Sequence, residues 1–391
     1  MTIQQKGLIT LIKSAISEKS HKLPDGFDLS EAFDVARKHG IIPMVYYGAC
    51  NCGIDKSCDT MRESFKAVCA AIIIGERQNT EIKRVLDAFV ENKIEFIALK
   101  GIHLKKLYPK HEMRRMGDAD ILIKPSEYEC IRAVMIQLGF SEKLESDHEL
   151  IWSNGAVVIE LHKHLIPSYN KDYYAYFGDG WKLAKIKSDN GFEYNMTAED
   201  NLIYLFTHFA KHYRDCGIGI RHLVDLWVYR HNHSCLDEVY IRKELEQLQL
   251  QAFYSNVIKT LEVWFEDAEC DDVSDFISQV IFSSGVYGKS ENRTKSIALK
   301  ERKKGNTVTK FMAIKLFKTV FKGYGEMSEF YPCLRKLPVL LPILWGVHLF
   351  KRIFNKQKRN NYVKTQLLTS ERVVDDYARS LNYVGLDFNF S

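Results

Sequence analysis

The sequence predicts an α+β fold, with a small mixed β-sheet in residues 93–192 between a helical N-terminal region, 1–92, and a helical C-terminal region, 193–391. Three observations predict it. Apolar residues recur at helical spacing up to about Asn92. From Ile94 to His162 short apolar runs alternate with helix-like stretches, the pattern of a sheet packed by helices. After Met196 the helical spacing returns.

In the N-terminal region, Leu8, Leu11, Ile12 and Ala15 mark a first helix. Asp28 to Arg37 is a second, ending near Gly40, and Met61 to Val90 is a long third. The run Ile72, Ile73, Ile74 within it suggests burial on several sides. In the centre, Ile94–Leu99 reads as a strand that runs into Lys100-Gly101 and then a helix, Ile102–Tyr108. Asp118–Ile123 is a second strand. Pro125 opens a helix, Ser126–Leu138, that Gly139 closes. Glu149–Ser153 and Ala156–His162 flank Asn154-Gly155, the strongest short-range hairpin signal. Thr197 and Asp200 have the spacing of a capping box, with Asp for the usual Glu, and start a helix over Ala198–Tyr213. Ile220–Arg230 and Leu236–Phe265 continue the helical pattern.

The 391 residues are 46% hydrophobic and 27% charged, which excludes a disordered or collagen-like chain. Nine cysteines, odd in number and widely spread, do not form a disulfide framework. Met1–Glu18 has no unbroken apolar core of a signal peptide. The expected location is therefore cytoplasmic. Charge is uneven: residues 289–364 carry 19 Lys/Arg against 4 Asp/Glu, so +15, which leaves −10 elsewhere. A solvated set of helices explains the basic segment without a function. A surface for acidic lipid, polyphosphate or nucleic acid is the other reading. Within the segment, Leu337–Phe350 lacks charge but is too short and too proline-broken to span a bilayer. Flanked by Arg335, Lys336, Lys351 and Arg352, it has the composition of a peripheral membrane anchor. The negative balance around the centre argues against a stable nucleic-acid complex.

The informative chemistry is Gly117-Asp118-Ala119-Asp120-Ile121. Strand alternation aims Asp118 and Asp120 at one face. Two such carboxylates repel unless water or a divalent cation separates them, and hard Mg²⁺ takes oxygen ligands of this kind. Glu160 interrupts the apolar strand Val157–Leu161, which the hairpin returns to the same sheet. An acid there is costly unless it meets a cation or a wet face. At the Lys100-Gly101 corner a glycine permits close backbone approach, and lysine adds a charge for phosphate. The competing reading makes Asp118 and Asp120 solvated turn residues and pairs Glu160 with a base.

These residues, with Ala36–Pro43, Ala98–Pro109, Arg114–Ile123, Ile159–His162, His208–His212, Ile220–Leu226 and Tyr331–Trp345, give a chain that resembles the bacterial nucleotidyltransferases of NTP-transferase type 5. That family is similar to the DNA polymerase β-like nucleotidyltransferase superfold. The resemblance implies Asp118, Asp120 and Glu160 as metal-binding and catalytic carboxylates, with Mg²⁺, or Mn²⁺ in its place. It implies a nucleoside triphosphate substrate at Lys100 and Gly101. It also implies transfer of a nucleoside monophosphate to an acceptor that the sequence does not identify: a small molecule, sugar, peptide or protein. The wider superfold usually carries Gly-Ser or Gly-Gly at the corner; here it is Gly101-Ile102. The alternative is a non-catalytic nucleotide-binding or regulatory module on the same fold.

Arg114, upstream of the aspartates, either contacts phosphate or pairs with an acid. His208 and His212 share one helix face. They form a nucleotide-facing wall or a structural pair, since the Glu of a zinc HExxH motif is missing. Arg221 and Asp225 have the spacing of an ion pair. His162 follows Glu160 on the same face and orients a metal ligand, contacts substrate or is structural. Cys50, Cys52 and Cys58 lack the second ligand cluster of a zinc knuckle.

Overall fold

The computed structural model describes residues 1–187, 191–285, 288, 290–303, 305–354 and 370–386. Four helices come first: α1 (Ile3–Ser17), α2 (Leu29–His39), α3 (Ile42–Asn51) and α4 (Asp59–Glu91). Thr2 and Gln5 form a full capping box on α1, and the Asp28 side chain caps α2. The sequence pattern had not suggested α3, whose Pro43 sits in the first turn, where a missing N–H costs nothing. The expectation for Ile72, Ile73 and Ile74 is corrected. They are 39%, 69% and 46% exposed, because the buried stripe of α4 runs through Val68, Ala71, Gly75 and Gln78 instead.

Seven strands form one mixed sheet in the order β3-β4-β5-β2-β1-β7-β6. They are β1 (Phe96–Ala98), β2 (Ala119–Ile123), β3 (Ser141–Glu145), β4 (Glu149–Ser153), β5 (Val158–His162), β6 (Lys185–Ile186) and β7 (Glu193–Asn195). β2 runs parallel to β5 and β1 parallel to β7; the other pairs are antiparallel. The Asn154-Gly155 hairpin forms as expected. Asn154 Oδ1 accepts from the Ala156 and Val157 N–H groups at 3.0 and 3.2 Å, and Gly155 takes φ +82°. The chain returning from β1 to β2 makes only one α turn, α5 (Gly101–Leu104), before a 3₁₀ turn at Lys105–Leu107.

Period-two alternation splits the sheet. Ala119, Ile121 and Ile123 of β2, Leu150 and Trp152 of β4, and Ile159 and Leu161 of β5 pack on α6 (Tyr128–Gln137) and the C-terminal half of α4. The opposite face carries Asp120, Glu160, His162 and Glu149. It meets the helices that follow α7 (Lys171–Phe177), chiefly α8 (Ala198–Asp215) and α9 (Ile220–Asn232). The capping motif at α8 is half formed. Thr197 Oγ1 accepts from the Asp200 N–H at 3.1 Å, while the Asp200 carboxylate accepts from the Thr197 and Tyr240 hydroxyls. The stretch 236–265 divides into α10 (Glu238–Gln247) and α11 (Gln251–Phe265), broken where Gln249 takes φ +55°.

A continuous apolar core runs from Leu8 and Met44 through Leu99 and Phe206 to Leu381. It joins the N-terminal helices, the sheet and the C-terminal helices. Later in the chain lie Leu341–Phe354 and Glu371–Tyr383. Pro342 falls in the first turn of the former, so that helix is unbroken. Leu337, Val339, Ile343 and Phe350 are exposed along this stretch. Among the described residues no helix is long and apolar enough to cross a membrane. Of the basic segment 289–364, residues 289, 304 and 355–364 lie outside the described set.

Candidate active site

The polar face of the sheet and the helices above it enclose a cavity of about 440 Å³. Lys100, Gly101, Arg114, Asp118, Asp120, Glu160, His208 and His212, all expected at the site, line it. The floor is set by register. Asp120 on β2 is the direct partner of Glu160 on parallel β5, so two carboxylates stand side by side on one face. Asp120, Glu160 and His162 each offer a donor atom within 4.8 Å of the others. Asp118 also lines the cavity but stands outside that tight group, because β2 begins only at Ala119 and no ladder fixes it.

Electrostatics divide the two acids. Burial works against the Asp120 charge, but Lys100 and His162 outweigh it and hold the carboxyl far below the usual range. His162 Nε2 lies 2.7 Å and Lys100 Nζ 3.3 Å from Asp120 Oδ1. Both contacts fall on Oδ1, and no hydrogen bond to Oδ2 is made by the described residues. Glu160 goes the other way. Burial first, then the charges of Asp118 and Asp120, push its carboxyl up to about 8. Burial penalises the Lys100 ammonium, yet Asp120 keeps it charged. Lys100 takes φ +32° and ψ −102°, a backbone conformation costly for a side-chain-bearing residue and typical of constrained sites. At Gly101 a Cβ would stand 2.7 Å from Met116 Sδ and 2.9 Å from Arg114 Nη1, so any larger residue would have to push both side chains aside.

The roof supplies cations and imidazoles. For Arg114, pairing with an acid is what the structure shows. Its Nε and Nη2 donate to Asp225 Oδ1 and Oδ2 at 3.1 and 3.0 Å, and the Tyr108 hydroxyl donates to Oδ1 at 2.7 Å. The ion pair expected between Arg221 and Asp225 does not form, because Arg114 occupies that carboxylate. Arg221 instead donates from Nη1 to the Arg115 carbonyl at 2.9 Å, and its Nε is buried without a partner. His208 and His212 face each other through Nε2 atoms 3.0 Å apart, and burial pushes both well below 6.5.

Sequence reasoning missed His148, Glu149, Lys211 and His222, all of which line the cavity. Lys211 has no ion pair among the described residues, and burial, then the Lys100 charge, push it down to about 8. Its signal was present: positions 208, 211 and 212 share one helix face. Glu149 was also recoverable, because the hairpin turn pairs it with His162. The nine cysteines are all free thiols.

Residues 25–266, more than half of the chain, match the family described as uncharacterised nucleotidyltransferase. The chain belongs to that family. No curated protein matches it. Among solved structures, the solution structure of the antibiotic-resistance factor ANT(2'')-Ia aligns with 50% of this chain and 100% of its own at 12% identity, with a TM-score of 0.33. Family membership supports nucleotidyl transfer as the general activity.

Proposed function

We propose that this protein transfers a nucleoside monophosphate from a nucleoside triphosphate to an acceptor and releases pyrophosphate. The carrying observation is the in-register pair Asp120 and Glu160 facing a cavity that also holds Lys211 and Arg221, cations with no carboxylate bonded to them among the described residues. Asp118, Asp120 through Oδ2, and Glu160 form an all-oxygen donor set suited to Mg²⁺ or Mn²⁺. The bound ion would neutralise phosphate charge and align the substrate. Lys100, Lys211 and Arg221 grip the triphosphate oxygens, and Gly101 lets the chain approach them. His208 and His212, kept neutral by burial, wall the nucleotide without adding charge. The acceptor oxygen attacks the α-phosphorus, the bond from phosphorus to pyrophosphate breaks, and the acceptor proton passes to Glu160. Residues 93–192 supply the carboxylates and the Lys100-Gly101 corner, and α8 and α9 of the 193–391 region supply the roof above them.

Calorimetry with each triphosphate, with and without Mg²⁺, tests the reading. Binding that needs the ion and disappears in Asp118→Ala/Asp120→Ala is expected. Binding indifferent to both would make the protein a non-catalytic nucleotide-binding module. Incubation of labelled triphosphate with a lysate, followed by mass spectrometry, then identifies the acceptor by its added nucleotide mass.

We further propose that the surface around Leu337–Phe350 rests on anionic lipid in the cytoplasm. Exposed Leu337, Val339, Ile343 and Phe350 lie in a stretch whose sequence is flanked by the exposed cations Arg335, Lys336 and Lys351.

A further inference from the structure

A second trio of donor atoms stands on the same face as the carboxylates. Glu149 opens β4 and is the register partner of His162 at the end of β5. His148 directly precedes β4. The Ser146 hydroxyl accepts from the N–H groups of His148 and Glu149 at 3.3 and 3.1 Å and fixes the turn that presents both. His148 Nε2 is 3.2 Å from His162 Nδ1, and Glu149 Oε2 is 3.8 Å from each of them. A triangle with these sides has its centre about 2.1 Å from every corner, the length of a zinc bond to imidazole or carboxylate.

The proton arrangement fits as well. His162 Nε2 lies 2.7 Å from Asp120 Oδ1, and a carboxylate oxygen accepts, so the ring proton sits at Nε2. That leaves Nδ1 bare and aimed into the trio. A ligating imidazole whose other nitrogen donates to a carboxylate is the usual outer support of a metal site. His148 Nδ1 is buried without a partner. No protein group therefore dictates which His148 nitrogen carries the proton, and Nε2 is free to turn its lone pair inward.

We propose that His148, Glu149 and His162 form a three-ligand site for a d-block divalent cation of the Zn²⁺ type, separate from the all-oxygen set of Asp118, Asp120 and Glu160. Two imidazoles and one carboxylate suit such an ion better than Mg²⁺. All three ligands line the cavity, so a fourth position is reached from there. Asp120 touches both sets: it accepts from His162 and stands beside Glu160. The proposal does not depend on nucleotidyl transfer.

The test is Co²⁺ titration of the full chain, freed of metal with a chelator, followed by visible absorption and calorimetry. One equivalent of Co²⁺ with intense low-symmetry d–d bands, displaced by Zn²⁺, is expected. His148→Ala and Glu149→Gln should each weaken uptake at least tenfold, while Asp118→Asn leaves it unchanged. Far-UV dichroism reports folding, and the near-isosteric Glu149→Gln decides if His148→Ala does not fold. Absence of uptake overturns the proposal. So does uptake that Glu149→Gln retains, or that Asp118→Asn alone abolishes, since the ion would then sit among the carboxylates. Mg²⁺-dependent nucleotide binding is read separately, so either site can fail without the other.

Discussion

At the scale of single residues, the site depends on two neighbouring acids held in opposite states. Asp120 stays ionised against burial because Lys100 and His162 contact one of its oxygens. Glu160, without a cation at comparable distance, retains its proton up to a pH of about 8. An ion bound between them must displace that proton. With Mg²⁺ bound as proposed, each binding event below pH 8 should release a proton, and the apparent affinity should fall as pH is lowered from 8.5 to 6.5. Calorimetry in buffers of different ionisation enthalpy measures the release directly. Glu160→Gln should weaken Mg²⁺ binding and abolish the proton release; a release that persists in that variant would place the titration elsewhere.

At the scale of elements, a buried ion pair ties α9 to the chain just upstream of β2. Asp225 on α9 holds Arg114, just upstream of β2, and both side chains are only 8% exposed. Removing one partner leaves the other charge buried and unpaired, at a cost of about 3–5 kcal/mol. Asp225→Ala should lower stability in urea by that much, and adding Arg114→Met should recover a large part of it. Strands β1, β2, β4 and β5 and the hairpin were legible in the sequence because short apolar runs and an Asn-Gly turn are local signals. Asp120 and Glu160 were legible because each interrupts an apolar strand. Asp225 as the partner of Arg114 was not, since that contact is 111 residues long and the competing Arg221 lies one helical turn away on α9. β3 was missed because its Ser141–Glu145 is charged and mostly exposed, with no apolar run, and β6 and β7 because they are two and three residues long, too short to show a period. The exposed isoleucines of α4 misled because a run of β-branched residues reads as core whichever way the helix turns.

At the scale of the whole molecule, buried histidines set the response to acid. Burial lowers His39, His208, His212 and His222 below 6.5, takes His103 to about 4 and takes His148 to about 3. Below 6.5 the unfolded chain binds protons that the folded chain refuses, so stability falls as pH drops through that value. Burial raises Glu160 and Glu127, which oppose this above 4.5, but they are two groups against these six imidazoles and His164. The melting temperature should be lower at pH 5 than at pH 7.5; an unchanged or higher value at pH 5 would contradict the assignment of these imidazoles as neutral. The basic and apolar surface near Leu337–Phe350 makes a separate prediction. The full chain should float with vesicles containing anionic lipid, and less so as salt rises and the Debye length shortens. Equal flotation with purely zwitterionic vesicles would remove the electrostatic part of that proposal.

The register of β2 with β5 has a consequence for divergence among relatives. The acids are anchored to hydrogen-bonded strands, whereas His208, Lys211 and His212 project from a helix that no ladder fixes to them. Under the proposed reaction, substitutions along α8 would retune which triphosphate or acceptor is admitted without disturbing the spacing of Asp120 and Glu160, so specificity and reactivity would drift at different speeds.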